Sequence, residues 1–308
     1  VSSGADSAAV LADAGLDWRL APAKVNLALH VVGRRADGYH LLDSLVVFPP
    51  IGDRLALAPR RSDADVDGPV DLVVTAPPAV AAALGPAADN LVVRAGRALA
   101  ARAGRPVPPV TLTLDKRMPI AAGLGGGSAD AAAALRLLAE HWRVDLSARD
   151  LADLALGLGA DVPMCLAGTP LRAGGIGEVL TPLPPLPEAG IVLVNPNVHV
   201  ATPPVFRRLE RRDNPPLPAI PARWRDAADL CDWLRGTRND LTAAAIAEAP
   251  EIAEVLAALA ATDPGHAGMS GSGATCFALY ATPAAAATAA ARLVAGHPDW
   301  WTASAALR

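Results

Sequence analysis

Lysine is nearly absent from this 308-residue chain: Lys24 and Lys116 are the lysines among 27 basic residues, and the rest are arginine. The skew fits a GC-rich genome in which exposed cations drift to arginine. A lysine that remains marks a position where a broad planar guanidinium will not serve. Cysteine is also sparse. Cys165, Cys231 and Cys276 are far apart and odd in number, with no Cys-x-x-Cys pair or Cys/His cluster. Nothing in their spacing suggests a zinc site, and buried free thiols of a reducing cytoplasm are expected. No apolar run is long enough to span a membrane, because the Ala-rich stretches are interrupted by charge or proline. Residues Val1 to Asp17 lack a basic n-region and a long apolar run, so they read as a disordered tail and not as a signal peptide. The formal net charge of -4 gives no electrostatic reason to coat nucleic acid or an anionic membrane. No obligate protein partner is expected, and the expected location is cytoplasmic.

Hydrophobic residues make up 52%, enough for one large core or for two modest domains. No internal repeat is evident. Alternation and apolar runs predict strands over Asp17–Val32, Leu41–Val47, Asp53–Leu57, Val110–Leu114, Ile191–Asn195 and Cys276–Tyr280. Helical spacing covers Asn90–Ala103, Ser128–His141, Asp150–Leu158, Glu251–Ala261 and Pro283–Ala295. The Pro-rich stretch Thr181–Pro187 reads as a domain junction. The fold class is α+β, with a tail over 1–17, a domain over 18–182, a second over 183–308, and a cleft between them.

The strongest local signal is Pro119-Ile120-Ala121-Ala122-Gly123-Leu124-Gly125-Gly126-Gly127-Ser128-Ala129-Asp130. Its glycines let backbone amides approach an anion without Cβ obstruction. The helix expected from Ser128 points its positive end at that anion. A Walker loop would require a lysine after the last glycine, and none follows. A dinucleotide fingerprint fails in each register, because Ser128 stands where its third glycine would be.

Three motifs now stand in order: Pro22-Ala23-Lys24-Val25-Asn26-Leu27, the Gly-rich loop, and Ser270-Gly271-Ser272-Gly273-Ala274-Thr275. The ordered set resembles the GHMP kinase superfamily of small-molecule kinases. The stretch Arg34-Arg35-Ala36-Asp37-Gly38-Tyr39-His40 is similar to the branch whose substrate carries a cytidine diphosphate group. Asp115-Lys116-Arg117 and Gly159-Ala160-Asp161-Val162-Pro163 match that branch as well. One departure is visible: some relatives carry Ser-Ser-Asn where this chain has Ser128-Ala129-Asp130. Ser128 is left as the loop hydroxyl, and Asp130 puts a charge near the phosphates or points away along the helix.

The resemblance implies a two-domain fold with the active site in the interdomain cleft. It also implies ATP as co-substrate, magnesium delivered with ATP and no dedicated protein metal site. Asp161 is implied to accept the proton of the substrate hydroxyl, although on residues alone a helix-cap or turn aspartate is the commoner role. Lys24, costly in a core strand without a partner, is implied to pair with Asp161 and to neutralise the transferring phosphoryl group. Pro119 to Ala129 would hold the nucleotide, with Asn90 and Lys116 on the adenine side. Lys116 reads equally as a solvated neighbour of Arg117. Asn26 would meet the substrate hydroxyls, or be a satisfied buried amide. Tyr39 and Phe206 would sandwich the cytosine while His40 reads its edge, and Phe206 reads equally as packing of a Pro-rich segment. Gly271, Ser272 and Gly273 would support the substrate and phosphates, or form a plain turn. Other readings are a GHMP kinase with a different alcohol, or a catalytically silent ATP sensor on the same fold.

Overall fold

The run Asp17–Val32, expected as one strand, is divided at Ala23 and Lys24. In the computed structural model, which describes residues 15–60 and 68–307, β1 (Arg19–Pro22) ends there and β2 (Val25–Arg34) begins. Ala23 N–H donates to Ile51 O at 2.7 Å and Lys24 N–H donates to Leu124 O at 2.9 Å, so the backbone leaves its ladder for two residues. Of the tail expected over 1–17, residues 1–14 lie outside the described residues.

Packing divides the chain into two units that interleave along the sequence. Of the described residues, the first holds 15–21, 52–60, 68–118 and 126–166; the second holds 22–51, 119–125 and 167–307. A cut at 182/183 in sequence order is therefore different from the division by packing. The Pro-rich stretch Thr181–Pro187, expected as a junction, runs inside the second unit, where Leu183 N–H donates to Pro170 O at 3.1 Å.

The first unit is built on a sheet of order β1-β4-β6-β5, with β4 at Gly52–Pro59, β5 at Val70–Thr75 and β6 at Val110–Asp115. Burial alternates along β6, and Val110, Leu112 and Leu114 point inward, as one buried face requires. Its helices are α1 (Pro78–Ala83), α2 (Leu91–Arg102), α3 (Gly126–Trp142), α4 (Ala148–Leu158) and α5 (Val162–Ala167). Asn90 caps α2, its side chain accepting from Val92 N–H at 2.9 Å, and Ser147 caps α4 in the same way. Helix α3 starts two residues before the expected Ser128.

The second unit carries an antiparallel sheet β2-β3-β7-β8, with β3 at His40–Val47, β7 at Leu171–Gly175 and β8 at Val179–Pro182. It also carries the antiparallel sheet β10-β11-β9-β12, with β9 at Ala189–Asn195, β10 at His266–Met269, β11 at Cys276–Tyr280 and β12 at Trp301–Leu307. Its helices are α6 (Thr202–Arg207), α7 (Ala227–Arg235), α8 (Thr242–Glu248), α9 (Glu251–Ala260) and α10 (Pro283–Gly296). Strand β9 lies between β11 and β12, and every one of its residues is buried. That burial explains its unbroken apolar run. The three cysteines are free and buried. Among the described residues no helix is long and apolar enough to cross a membrane.

Gly190 sets how closely α10 approaches β9. A Cβ there would lie 2.4 Å from Thr282 O, 2.6 Å from Ala286 Cβ and 2.9 Å from Pro283 Cα. Two of those atoms are backbone, so the clash cannot be relieved by a side-chain rotation. Gly190→Ala should lower stability by about 1–3 kcal/mol, read as a shifted urea midpoint. An unchanged midpoint would mean that α10 is not seated this closely.

Candidate active site

The Gly-rich loop bends through left-handed backbone at Ala121 (φ 51°), Gly123 (φ 73°) and Gly125 (φ 63°). Its tightest point is Gly123. A Cβ there would stand 2.4 Å from Ser270 O and 2.8 Å from Gly273 O, so only glycine fits. Hydrogen bonds stitch the same place: Ser270 Oγ donates to Gly123 O at 3.0 Å, and Thr275 N–H donates to Ala122 O at 3.1 Å. The first motif joins them, with Asn26 N–H donating to Ser270 Oγ at 3.0 Å and Lys24 N–H donating to Leu124 O. Three motifs far apart in sequence thus meet within the second unit.

Lys24 is 6% exposed. Its Nζ donates to Asn26 Oδ1 at 3.0 Å. Asn26 Nδ2 donates to Ser44 Oγ at 2.7 Å, and that hydroxyl donates to Ala28 O. The Asn26 amide is therefore satisfied by protein on both ends, the alternative its sequence position left open. In the third motif Gly271 (φ 57°) and Gly273 (φ 85°) turn the chain, and Ser272 Oγ lies 2.9 Å from Thr202 Oγ1. Asn239 Nδ2 donates to both Met269 O and Gly271 O at 2.8 Å. Sequence reasoning missed Ser44, Thr202 and Asn239, because they stand in no motif.

Of the residues expected around the cytosine, two are in ring contact with each other and the third is exposed. His40 stacks on Phe206, with ring centroids 4.8 Å apart and planes at 29°, while Tyr39 is 59% exposed. Burial, and then the charges of Arg34 and Arg212, lower the His40 pKa and favour the neutral imidazole. Its Nε2 is buried without a hydrogen-bond partner.

In the first unit the consecutive residues Asp115, Lys116 and Arg117 divide. Asp115 accepts from Arg54 Nη2 at 2.7 Å and from Arg117 Nε at 2.8 Å. Lys116 turns inward and is 6% exposed. The solvated reading of Lys116 is thereby excluded. Its Nζ donates to Asp53 Oδ2 and, at 2.9 Å, to Asp130 Oδ2. Asp53 Oδ1 accepts from Arg117 N–H at 2.6 Å and Met118 N–H at 2.9 Å, whereas Asp130 Oδ1 is buried with no partner. Burial works against the Lys116 charge, but Asp130 and Asp53 outweigh it and raise its pKa. Two carboxylates share one ammonium, so one must gain proton affinity. It is Asp130, raised to about 7 by burial and by Asp53 against the opposing pull of Lys116.

Asp130 therefore faces the interior beside Lys116 and Asp53. Ala129 is buried too, so the missing hydroxyl would have faced the core, while Ser128 is half-buried. Asn90 spends its side-chain oxygen on the α2 cap. Asp161 is half-buried in the turn before α5, its carbonyl accepting from Cys165 N–H at 3.1 Å. The carboxylates around Lys116 went unread, although a buried lysine in an arginine-rich chain signals that such partners exist.

The chain is similar to known proteins in sequence and in fold. The family model for the GHMP kinases N terminal domain matches residues 90–169, and that for the GHMP kinases C terminal domain matches 217–299. A 4-diphosphocytidyl-2-C-methyl-D-erythritol kinase of Cereibacter sphaeroides is 53% identical over 287 residues, covering 92% of this chain and 97% of its own. The chain belongs to the 4-diphosphocytidyl-2-C-methyl-D-erythritol kinase family. A crystal structure of 4-(cytidine 5'-diphospho)-2C-methyl-D-erythritol kinase is similar to this kinase with a TM-score of 0.75 and 36% identity, over 94% of this chain and 98% of that one. Homoserine kinase from Cytophaga hutchinsonii, 19% identical with a TM-score of 0.65 over 96% of each chain, shares the fold of the kinase.

The carboxyl of Asp130 gives the kinase a stability that depends on pH. Its folded pKa of about 7 lies above the ordinary 3.8, so the folded state retains a proton that the unfolded chain releases. The contribution is full below about pH 4 and is lost as pH rises through about 7. Asp130→Asn should remove it, so that wild type loses stability relative to the variant between about pH 4 and about pH 7 in urea titrations. Parallel pH profiles would mean that the folded carboxyl is ionised throughout.

Proposed function

We propose that this kinase transfers the γ-phosphoryl group of ATP to the 2-hydroxyl of 4-diphosphocytidyl-2-C-methyl-D-erythritol, giving the 2-phosphate and ADP in non-mevalonate isoprenoid precursor synthesis. The observation that carries the reading is the stitching of Lys24, Asn26, the Gly-rich loop and the Ser270–Thr275 turn into one assembly. Membership of the GHMP kinases implies ATP as co-substrate.

Phosphoryl transfer requires positioning, charge neutralisation and a destination for the hydroxyl proton. Within the nucleotide-holding stretch Pro119 to Ala129, the amides from Gly123 to Ser128 hold the polyphosphate, helped by the Ser128 hydroxyl and the positive end of α3. Asn90 and Lys116 shape the adenine side, Asn90 by starting α2 and Lys116 from between its carboxylates. The substrate oxygen forms its bond to phosphorus as the bond to the bridging oxygen of ADP breaks. Asp161 takes the proton, and Lys24, as a compact ammonium, offsets charge on the moving group. Asn26 orients that ammonium through the 3.0 Å hydrogen bond and so borders the substrate hydroxyls. Gly271, Ser272 and Gly273 support the substrate beside it. Among the described residues no three His, Cys, Asp or Glu side chains are grouped for a metal ion; a magnesium ion delivered with the nucleotide would supply charge neutralisation at the phosphates.

At the cytidine end, His40 is held neutral against Phe206, with its unpartnered Nε2 available to the edge of a base. Exposed Tyr39 closes the other face.

Asp161→Asn should lower kcat by about 10²–10⁴ in a coupled ADP-release assay while ATP binding is retained. A rate within about threefold of wild type would remove Asp161 from the mechanism. Phe206→Ala and Tyr39→Ala should each raise the KM for the cytidine substrate, by roughly 5- to 150-fold for a lost stacking contact of about 1–3 kcal/mol. Phe206→Ala should be the worse variant, because it also frees His40. A shift in the ATP dependence instead would put these rings on the donor side.

A further inference from the structure

Two carboxylates and one ammonium lie under the first turn of α3, and the roles above use only the ammonium. Asp53, Lys116 and Asp130 are all buried. A Cβ built on Gly126, the first residue of α3, would lie 3.6 Å from Lys116 Nζ and 3.7 Å from Asp53 Oδ2. The cluster therefore touches the very turn whose amides face the polyphosphate in the function proposed above. With both carboxylates ionised it bears one net negative charge, which opposes an anion at that turn. With one proton it is neutral.

The proton has one place to go. Asp53 uses both oxygens, on Lys116 and on the amides of Arg117 and Met118. Asp130 uses one oxygen and leaves Oδ1 buried and unpaired. The charged groups that face it are Asp53 from β4 and Lys116 from the end of β6. Helix α2, which also packs on α3, turns Val92, Ala95 and Leu99 inward and keeps Arg94 and Arg97 exposed.

We propose that Asp130 is a positioning residue for the nucleotide: it shares Lys116 with Asp53 to fix the ammonium against Gly126, and it carries a proton on Oδ1 whenever polyphosphate occupies the first turn of α3. Asp130 touches no reacting atom. Nucleotide binding then takes up a proton above about pH 7, the value to which burial raises this carboxyl. Nucleotide affinity consequently falls as pH rises, by at most about tenfold per pH unit for one linked proton. The inference rests on the kinase reading for the nature of the ligand and not for the cluster itself.

The test is calorimetric titration of the whole protein with magnesium-complexed ADP, whose phosphates are already ionised, at about pH 8 in two buffers of different ionisation enthalpy. Wild type should take up close to one proton. Asp130→Asn, which keeps shape and neutrality, should take up none and bind at least as tightly. Asp53→Asn, which leaves Asp130 as the sole counter-ion of Lys116, should also take up none. In steady state the KM for ATP should rise roughly three- to tenfold from about pH 7 to about pH 8 in wild type and stay flat in Asp130→Asn. The KM for the cytidine substrate should follow neither pattern. Binding by wild type without proton uptake would overturn the proposal even if neither variant folds, as would equal uptake by wild type and Asp130→Asn. A purely structural role would alter stability and leave the pH dependence of the ATP KM unchanged, which also overturns it. Absence of any nucleotide binding would instead sink the kinase reading, and this proposal with it.

Discussion

The carbonyl oxygen of Ser270 occupies the space where residue 123 would carry a Cβ, 2.4 Å away, and the site depends on that exclusion. Because Gly123 has no side chain, the Gly-rich loop lies directly on the Ser270–Thr275 turn and both can be bonded through Ser270 Oγ. The same hydroxyl accepts the Asn26 amide, which registers the start of β2 against loop and turn together. Asn26 in turn holds the Lys24 ammonium. A single missing methyl group thus fixes the relative placement of three segments that are about a hundred or more residues apart.

The two lysines follow a common rule in different surroundings. Lys24 is buried on a neutral amide, Lys116 on two carboxylates. Both are compact cations in buried positions, where a guanidinium would be a broader, planar group with five donors to satisfy. Elsewhere the chain puts arginine at the surface, as at Arg117 beside Asp115 or Arg225 beside Asp229. The composition of the chain therefore sorts its cations by burial.

Motif order and apolar periodicity made much of this legible. The strand Cys276–Tyr280 has its expected limits, and Glu251–Ala260, Pro283–Gly296 and Val110–Asp115 lie within a residue of theirs, because each carries its own periodicity. Strands β5, β7, β8, β10 and β12 were not read. Trp301–Leu307 is Ala-, Ser- and Thr-rich and gains its strand identity only by pairing with β9, a tertiary effect that no local window contains. The site divides in the same way. Residues in motifs could be named in advance, whereas Asp53 could not, because its role comes from the pairing of β4 with β6 that sets it beside Lys116. The stacking of His40 on Phe206 was illegible for the same reason: 166 residues separate the rings.

The interleaving of the two units has a consequence for how the chain is made. Strands β2 and β3 emerge early from the ribosome, yet they belong to a unit whose remaining residues, apart from the loop segment 119–125, begin at 167. In that unit the buried strand β9 has one edge covered only when β12 arrives. The apolar hairpin of β2 and β3 must therefore remain in an incomplete state through most of synthesis, since packed partners from 189–307 do not yet exist. Such exposed apolar strands are the species that aggregate or engage chaperones. Vectorial synthesis thus orders assembly opposite to chain order for this unit: the segment carrying Lys24 and Asn26 is translated among the first and consolidated among the last.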